Sequence, residues 1–306
     1  MDTVRYTEDE KGALPEQSAS LKLDHLHFER SYNSADYGGA ISYKLMVSSP
    51  RIATSSFQMN NASTDGGCIY FESSISTGTS SQSAMFYNSV FHSNSAGDHG
   101  GAIAASYPSS GITNFDLKLL LFNCEFTQNN AKSGGAASLV YIGNGTFSLA
   151  MHFCTVADNS ASSGGAVYLG DGYAPTYTPF FDHSITNSIF WGNTAQNGDH
   201  FDNEYTAGTI TIPVTRSNIE GGCENAGTIT LKPNCSTTID SNPLFDTPTY
   251  RLLEGSQSLN VGGAPLSDTF DLDNDGDEDE PTPYDLDGNP RVVGISVDMG
   301  AYEYQQ

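Results

Sequence analysis

Two Gly-Asp-His triplets set a carboxylate beside an imidazole: Asp98-His99 and Asp199-His200, each preceded by glycine. Such a pair suits general acid–base work, because histidine exchanges a proton near neutral pH and a carboxylate can orient it. Lys132 follows Asp98 at the interval of the repeat set out below, so an ion pair between neighbouring turns accounts for the same residues without any reaction. Asp36, Asp65 and Asp98 also fall near successive turns. Two carboxylates about 5–10 Å apart across a sugar bond are what glycoside hydrolysis requires. The catalytic candidates are therefore Asp98, His99, Lys132, Asp199 and His200, set against the simpler reading of solvated corner acids. Nothing suggests acyl transfer: there is no Gly-x-Ser-x-Gly elbow and no Ser/His/Asp grouping.

Metal-binding chemistry is signalled elsewhere, in "DTFDLDNDGDEDE". Asp271, Asp273, Asp275 and Asp279 take positions 1, 3, 5 and 9 of a calcium loop, with Gly276 at the sharp turn and the Asp277 carbonyl at position 7. The loop resembles those of dockerins and thrombospondins. It departs from them at position 12, where Thr282 stands in place of a bidentate carboxylate; Glu280 or Asp285 is the available substitute. Eight acidic residues lie between 268 and 280 and would repel one another without a cation. The alternative is an acidic, solvated linker.

Of five cysteines, Cys124 and Cys154 occupy the same slot of adjacent repeats, where a disulfide and two stacked thiols look alike. Cys223 and Cys235 could clip a hairpin, and Cys68 reads as a free core thiol. An insert, "DGYAPTYTPFFDH", carries Tyr173, Tyr177, Phe180 and Phe181 among prolines. It forms either a stiff platform for sugar rings or a partner protein, or a loop covering the tube.

The balance of charge narrows the partners. Thirty-six acidic and 12 basic side chains leave a net charge of −24, which excludes phosphate-driven nucleic-acid binding and anionic membrane surfaces. No apolar run approaches the roughly 18 residues of a membrane span. The opening residues have no apolar central region, so no signal peptide is expected within the sequence; a mature or truncated chain is the favoured reading.

The elements that must position these groups are written as repeats. Aligned on Asn-x-Ala, copies begin at Asn33, Asn60, Asn94, Asn129, Asn159 and Asn193, at intervals of 27, 34, 35, 30 and 34 residues. Phe57, Phe91, Phe126, Val156 and Phe190 stand three residues earlier, with Arg30 in that place in the first copy. Gly-Gly follows at 38–39, 66–67, 100–101, 134–135 and 164–165, then a small residue and an apolar strand. No helical period appears and the apolar residues alternate. The expected fold is all-β: a right-handed parallel β-helix, a β-solenoid in which Phe stacks inside, Asn forms a corner ladder, and Gly turns a second corner. The division expected is an N-terminal extension or cap over 1–20, the β-helix over 21–262, and an acidic calcium-loop tail over 263–306 packing on the last coils.

Phe-x-x-Asn with Gly-Gly-Ala, recurring across roughly residues 26–200, resembles the polymorphic outer-membrane proteins of chlamydiae and related secreted bacterial β-helix proteins. "DLDGNPR" from Asp285 and "VDMGAYEY" from Val297 are similar to the terminal signature of surface-sorted members. The resemblance implies an extracellular or cell-surface adhesin whose partner is a polysaccharide or a host or cell-surface glycoprotein, with calcium as the stabilising ion. The rival expectation is a polysaccharide lyase or glycoside hydrolase. Lyases of this fold pair a Lys or Arg base with calcium-binding acids, and basic residues are scarce here. A third, an ice- or surface-binding solenoid, needs a flat Thr array of which only fragments exist.

Overall fold

The computed structural model describes residues 4–7, 22–30, 36–45, 50–73, 80–106, 113–141, 144–171, 180–203, 210–228, 231–264, 280 and 284–305. The chain winds repeatedly through three walls of parallel strands, a parallel β-solenoid. Among the described residues helix is confined to one short 3-10 turn, Cys223–Asn225. One passage illustrates the course: Thr113–Phe122 runs in the long wall, Glu125–Thr127 in a second wall, and Ala137–Tyr141 in a third. The long wall has nine strands, from Lys22–Asp24 to Leu231–Ser236. The second, here the Phe wall, has seven, from His27–Glu29 to Asn218–Ile219. The third, here the Tyr wall, runs from Val4–Thr7 through Ile41–Leu45, Ile69–Ser73, Ile103–Ser106, Ala137–Tyr141 and Val167–Asp171 to Phe201–Asn203.

The repeated residues hold this stack together. Phe57, Phe91 and Phe126 are in register and buried, with ring centroids 5.2 and 4.6 Å apart and planes nearly parallel. Offset stacking adds about 0.5–1.5 kcal/mol per pair to the area buried. The stack begins two residues earlier than the Asn-x-Ala alignment suggests. Phe28, not Arg30, pairs with Phe57, and Arg30 instead takes the left-handed corner conformation found at Met59, Ser93 and Gln128. Asn33 lies outside the described residues.

The residue after that corner is asparagine, and its amide is fully used. Asn94 Nδ2 donates to Phe57 O on one side and to Asn129 Oδ1 on the other, at 2.9 and 3.0 Å, and Asn129 Oδ1 also accepts the Asn94 backbone N–H. The same bonds run from Asn60 to Asn94, Asn129 to Asn159 and Asn159 to Asn193. A second line of small residues, Ser55, Ser89, Cys124, Cys154, Ser188 and Ser217, follows the corner between long wall and Phe wall; Cys154 N, for example, donates to Ser188 Oγ at 3.1 Å. Cys124 and Cys154 are neighbours in that line as free buried thiols, and Cys68 is likewise free and buried. Cys223 and Cys235 are bonded to each other. They do not clip a hairpin: the strand carrying Cys235 runs parallel to Ile210–Thr215, and the bond ties it to the 3-10 turn.

The Gly-Gly corner needs both glycines for different reasons. Gly100 has φ +63, a backbone region that costs other residues energy, whereas a Cβ on Gly101 would lie 2.1 Å from the Gly135 carbonyl oxygen of the next coil.

Beyond the tube the chain folds back over the outside of the Phe wall. Tyr302 donates its hydroxyl to Glu125, Ala301 N donates to Thr155 Oγ1, and Asn123 Nδ2 donates to Tyr284 O. Met299 and Leu252 pack on Ile189, which points outward there, in a small second core. Arg291 is fully buried, its guanidinium 4.1 Å from the Phe153 ring centroid and donating to the Asp298 and Gly300 carbonyls.

Candidate functional site

The corner leading into the Tyr wall gathers the chemistry. Counted back from the first glycine, the residue one before it is Tyr37, Asp65, His99, Ser133, Ser163 and Asn197 in successive coils, joined as parallel bridges or by backbone bonds. The residue two before is Asp36, Thr64, Asp98, Lys132, Ser162 and Gln196. A one-residue difference in position therefore places Asp65 directly beside His99 rather than beside Asp98. His99 N donates to Asp65 Oδ1 at 3.0 Å, and His99 Nε2 lies 3.8 Å from Asp98 Oδ2. Lys132 Nζ lies 3.2 Å from Asp98 Oδ1, an ion pair between adjacent coils. Ligand atoms of Asp65, Asp98 and His99 all fall within 4.8 Å of one another, and the three side chains are half-buried.

Burial pushes the Asp65 carboxyl above its ordinary range and the Asp98 charge pushes the same way, while the His99 ring and backbone N–H pull it back. The rings around this cluster are tyrosines. Tyr37, 42% exposed, lies over Tyr70 with centroids 4.6 Å apart. Tyr70 shares a 2.5 Å hydrogen bond with Ser106, and burial raises its phenol well above the ordinary value. Tyr168 brings its ring to 5.8 Å from that of His99. An aromatic face, two carboxylates and an imidazole thus share one outer corner of the tube.

Asp98, His99 and Lys132 are brought together here. Asp199 and His200 are not, because their triplet sits three places later relative to the turn glycine. Gly198 is the turn glycine, Asp199 takes the place of the second glycine, and His200 takes that of Ala166. His200 is buried, with Nδ1 3.3 Å from Asn193 Nδ2 and Nε2 3.0 Å from Glu220 O; it closes the asparagine line, and burial lowers its pKa. Asp199 is exposed and accepts a bond from Ala195 N. Tyr173 and Tyr177 lie outside the described residues, as do Asp271, Asp273, Asp275, Asp277 and Asp279. Of Phe180 and Phe181 only the backbone is described, a two-residue strand beside Thr146 and Phe147.

No protein-family model, no curated protein and no solved structure matches this chain. Its function must be argued from the site alone. Among the described residues no helix is long and apolar enough to cross a membrane. Asp65 and Tyr37 are the site residues the sequence reading undervalued. The signal was present: counting from glycine rather than from asparagine puts Tyr37, Asp65 and His99 in one slot.

Proposed function

We propose that this chain is an extracellular or cell-surface β-helix protein for adhesion, binding glycan or glycoprotein along the Tyr-wall corner. The observation that carries the reading is Tyr37, exposed and lying on Tyr70 beside Asp65, Asp98 and His99. An aromatic face flanked by charged acceptors matches a sugar, whose C–H face stacks while its hydroxyls donate. The Cys223–Cys235 disulfide supports an oxidising compartment, and the net charge of −24 supports a neutral or cationic partner over nucleic acid or anionic lipid. The reading keeps the resemblance to chlamydial outer-membrane repeats, a right-handed winding, the asparagine ladder as its organising device and calcium in the acidic loop.

The test is a glycan array with the wild-type chain, Tyr37→Ala and Asp65→Asn, run beside assays for reducing ends and unsaturated products. A defined subset of glycans retained by wild type and lost in both variants is expected. Binding that is absent, or indifferent to both substitutions, overturns the reading. Polysaccharide cleavage is the second reading, favoured by one observation: Asp65, its carboxyl raised by burial, stands within reach of Asp98 as an acid beside a base. Product release abolished by Asp65→Asn would select it. For calcium, chelation is expected to lower the melting temperature and open residues from 265 onward to protease, with the far-UV β signal retained. A folded-state ligand at a hundredfold excess over Kd adds about 2.7 kcal/mol. Asp271→Asn with Asp273→Asn is expected to remove the dependence, and an unchanged melt under chelator rejects it.

A further inference from the structure

We propose that Asp65, Asp98 and His99 bind a divalent transition-metal ion of the zinc class, through one imidazole nitrogen and one oxygen of each carboxylate. The site is distinct from the acidic loop and stands whether or not the corner binds sugar. The donor set chooses the ion. Calcium and magnesium take oxygen ligands, whereas imidazole with carboxylates suits zinc, cobalt, nickel or iron. Ligands about 2.0–2.2 Å from a shared tetrahedral ion lie about 3.3–3.6 Å apart. The three donors, already within 4.8 Å of one another, therefore need to close by at most about 1–1.5 Å, within the reach of side-chain rotation.

The backbone fixes the donors before any ion arrives. Asp65 and His99 occupy the same slot of adjacent coils, and the His99 N–H bond holds the Asp65 carboxylate against it. Asp98 follows from the next residue back. In the metal-free protein Lys132 gives Asp98 one counter-charge, but its side chain is 68% exposed and can swing away at little cost. Asp65 has no such counter-ion among the described residues.

A second observation points to the same place. His99 Nδ1 is buried without a partner among the described residues, while Nε2 faces the acids. Ser138, fully buried, also has an Oγ without a partner among the described residues. Ser138 sits between Ala104 and Tyr168 in the Tyr wall, and Tyr168 reaches back across that coil to pack on His99. Metal-bound histidines generally donate their other ring N–H to an outer partner. Nδ1, buried and unpartnered among the described residues, is the nitrogen that a histidine ligating through Nε2 leaves for such a partner. Three protein donors leave at least one position for water or a partner's oxygen.

The experiment uses the whole chain, stripped with chelator and dialysed. Zinc is titrated by calorimetry, and cobalt(II) is titrated by its visible absorption. Wild type is expected to take one zinc at this corner. His99→Ala and Asp65→Asn are expected to weaken it by more than the roughly 10–100-fold that even outer partners of metal sites are worth, with loss of the cobalt bands. His27→Ala, which alters an exposed His–Glu pair elsewhere, and the Asp271→Asn/Asp273→Asn double variant are expected to bind as wild type. If His99→Ala is not folded by circular dichroism, Asp98→Asn, at a 39% exposed side chain, replaces it in the same titration. Zinc binding no tighter than about 1 mM in wild type, or binding unchanged in the folded corner variants, overturns the proposal.

Discussion

Asn129→Ala is the sharpest test of how the coils are held together. Asn129 is fully buried and its side chain makes four bonds: Nδ2 to Phe91 O and Asn159 Oδ1, both 2.9 Å, and Oδ1 from Asn94 N and Asn94 Nδ2, at 2.9 and 3.0 Å. Alanine removes all four. Asn159 Oδ1 keeps the Asn129 backbone N–H, and Asn94 Nδ2 keeps Phe57 O. The groups left short are therefore the Asn94 backbone N–H, one of the two Asn94 Nδ2 hydrogens, and one acceptor lobe each of Phe91 O and Asn159 Oδ1. An unsatisfied buried group costs about 1–3 kcal/mol, so a loss of roughly 2–5 kcal/mol is expected, with a small cavity included. Asn130→Ala is the control one residue away. Asn130 is exposed and bonds Ser160 Oγ at 2.8 Å, a bond water replaces, so its removal should cost no more than about 0.5 kcal/mol. Urea denaturation followed by far-UV circular dichroism compares the two midpoints. Equal midpoints would mean the asparagine bonds are a passenger of the stack and not a cause of it.

Gly101→Ala should prevent folding or lower the melting temperature far more than an ordinary glycine substitution, because its Cβ meets backbone of the next coil that cannot move alone; soluble, wild-type-like protein would refute this. The tail should loosen as pH rises. Burial pushes the Glu303 carboxyl from 4.5 up to about 7, and the neighbouring Asp298 charge adds to this. The folded tail therefore binds more protons than the unfolded chain between those values, and stability falls across that window. Buried His152 and His183, pulled down to about 4, act oppositely below pH 6.5, so the measurement is the difference between wild type and Glu303→Gln. Protease cleavage within 284–305 should rise from pH 5 to 7.5 in wild type and stay flatter in the variant, and identical pH profiles would dismiss the argument.

The tube was legible because its period forces every coil to solve the same problem. Phe57, Phe91 and Phe126 had to share an interior, and Asn94 and Asn129 a corner. Register by one residue was harder. Arg30 falls in the phenylalanine slot when the count runs back from Asn33 because the first corner is two residues longer than the others, and only the strand pairing shows that Phe28 belongs there. The Ser/Cys line escaped notice since its members alternate in type; what they share is size and the ability to accept one backbone N–H. The corner chemistry was half visible. Asp98 and Lys132 were placed as an ion pair by spacing, but the Asp65–His99 contact depends on counting from a glycine, and Asp199-His200 copies the letters of Asp98-His99 in another register. The tail's docking on Glu125 and Thr155 has no periodic signal at all, because it joins residues far apart in sequence through contacts made once.

That single return has a mechanical consequence. A plain stack of coils can peel from its free end, each coil leaving without disturbing the one before it. Here the last residues are fastened by Tyr302 to Glu125, 177 positions earlier. Tension on the C-terminus enters the tube at its middle and must shear the tail from the Phe wall before any terminal coil is loaded. Fraying from that end and detachment of the tail become one event, so the last coils share the fate of the central ones.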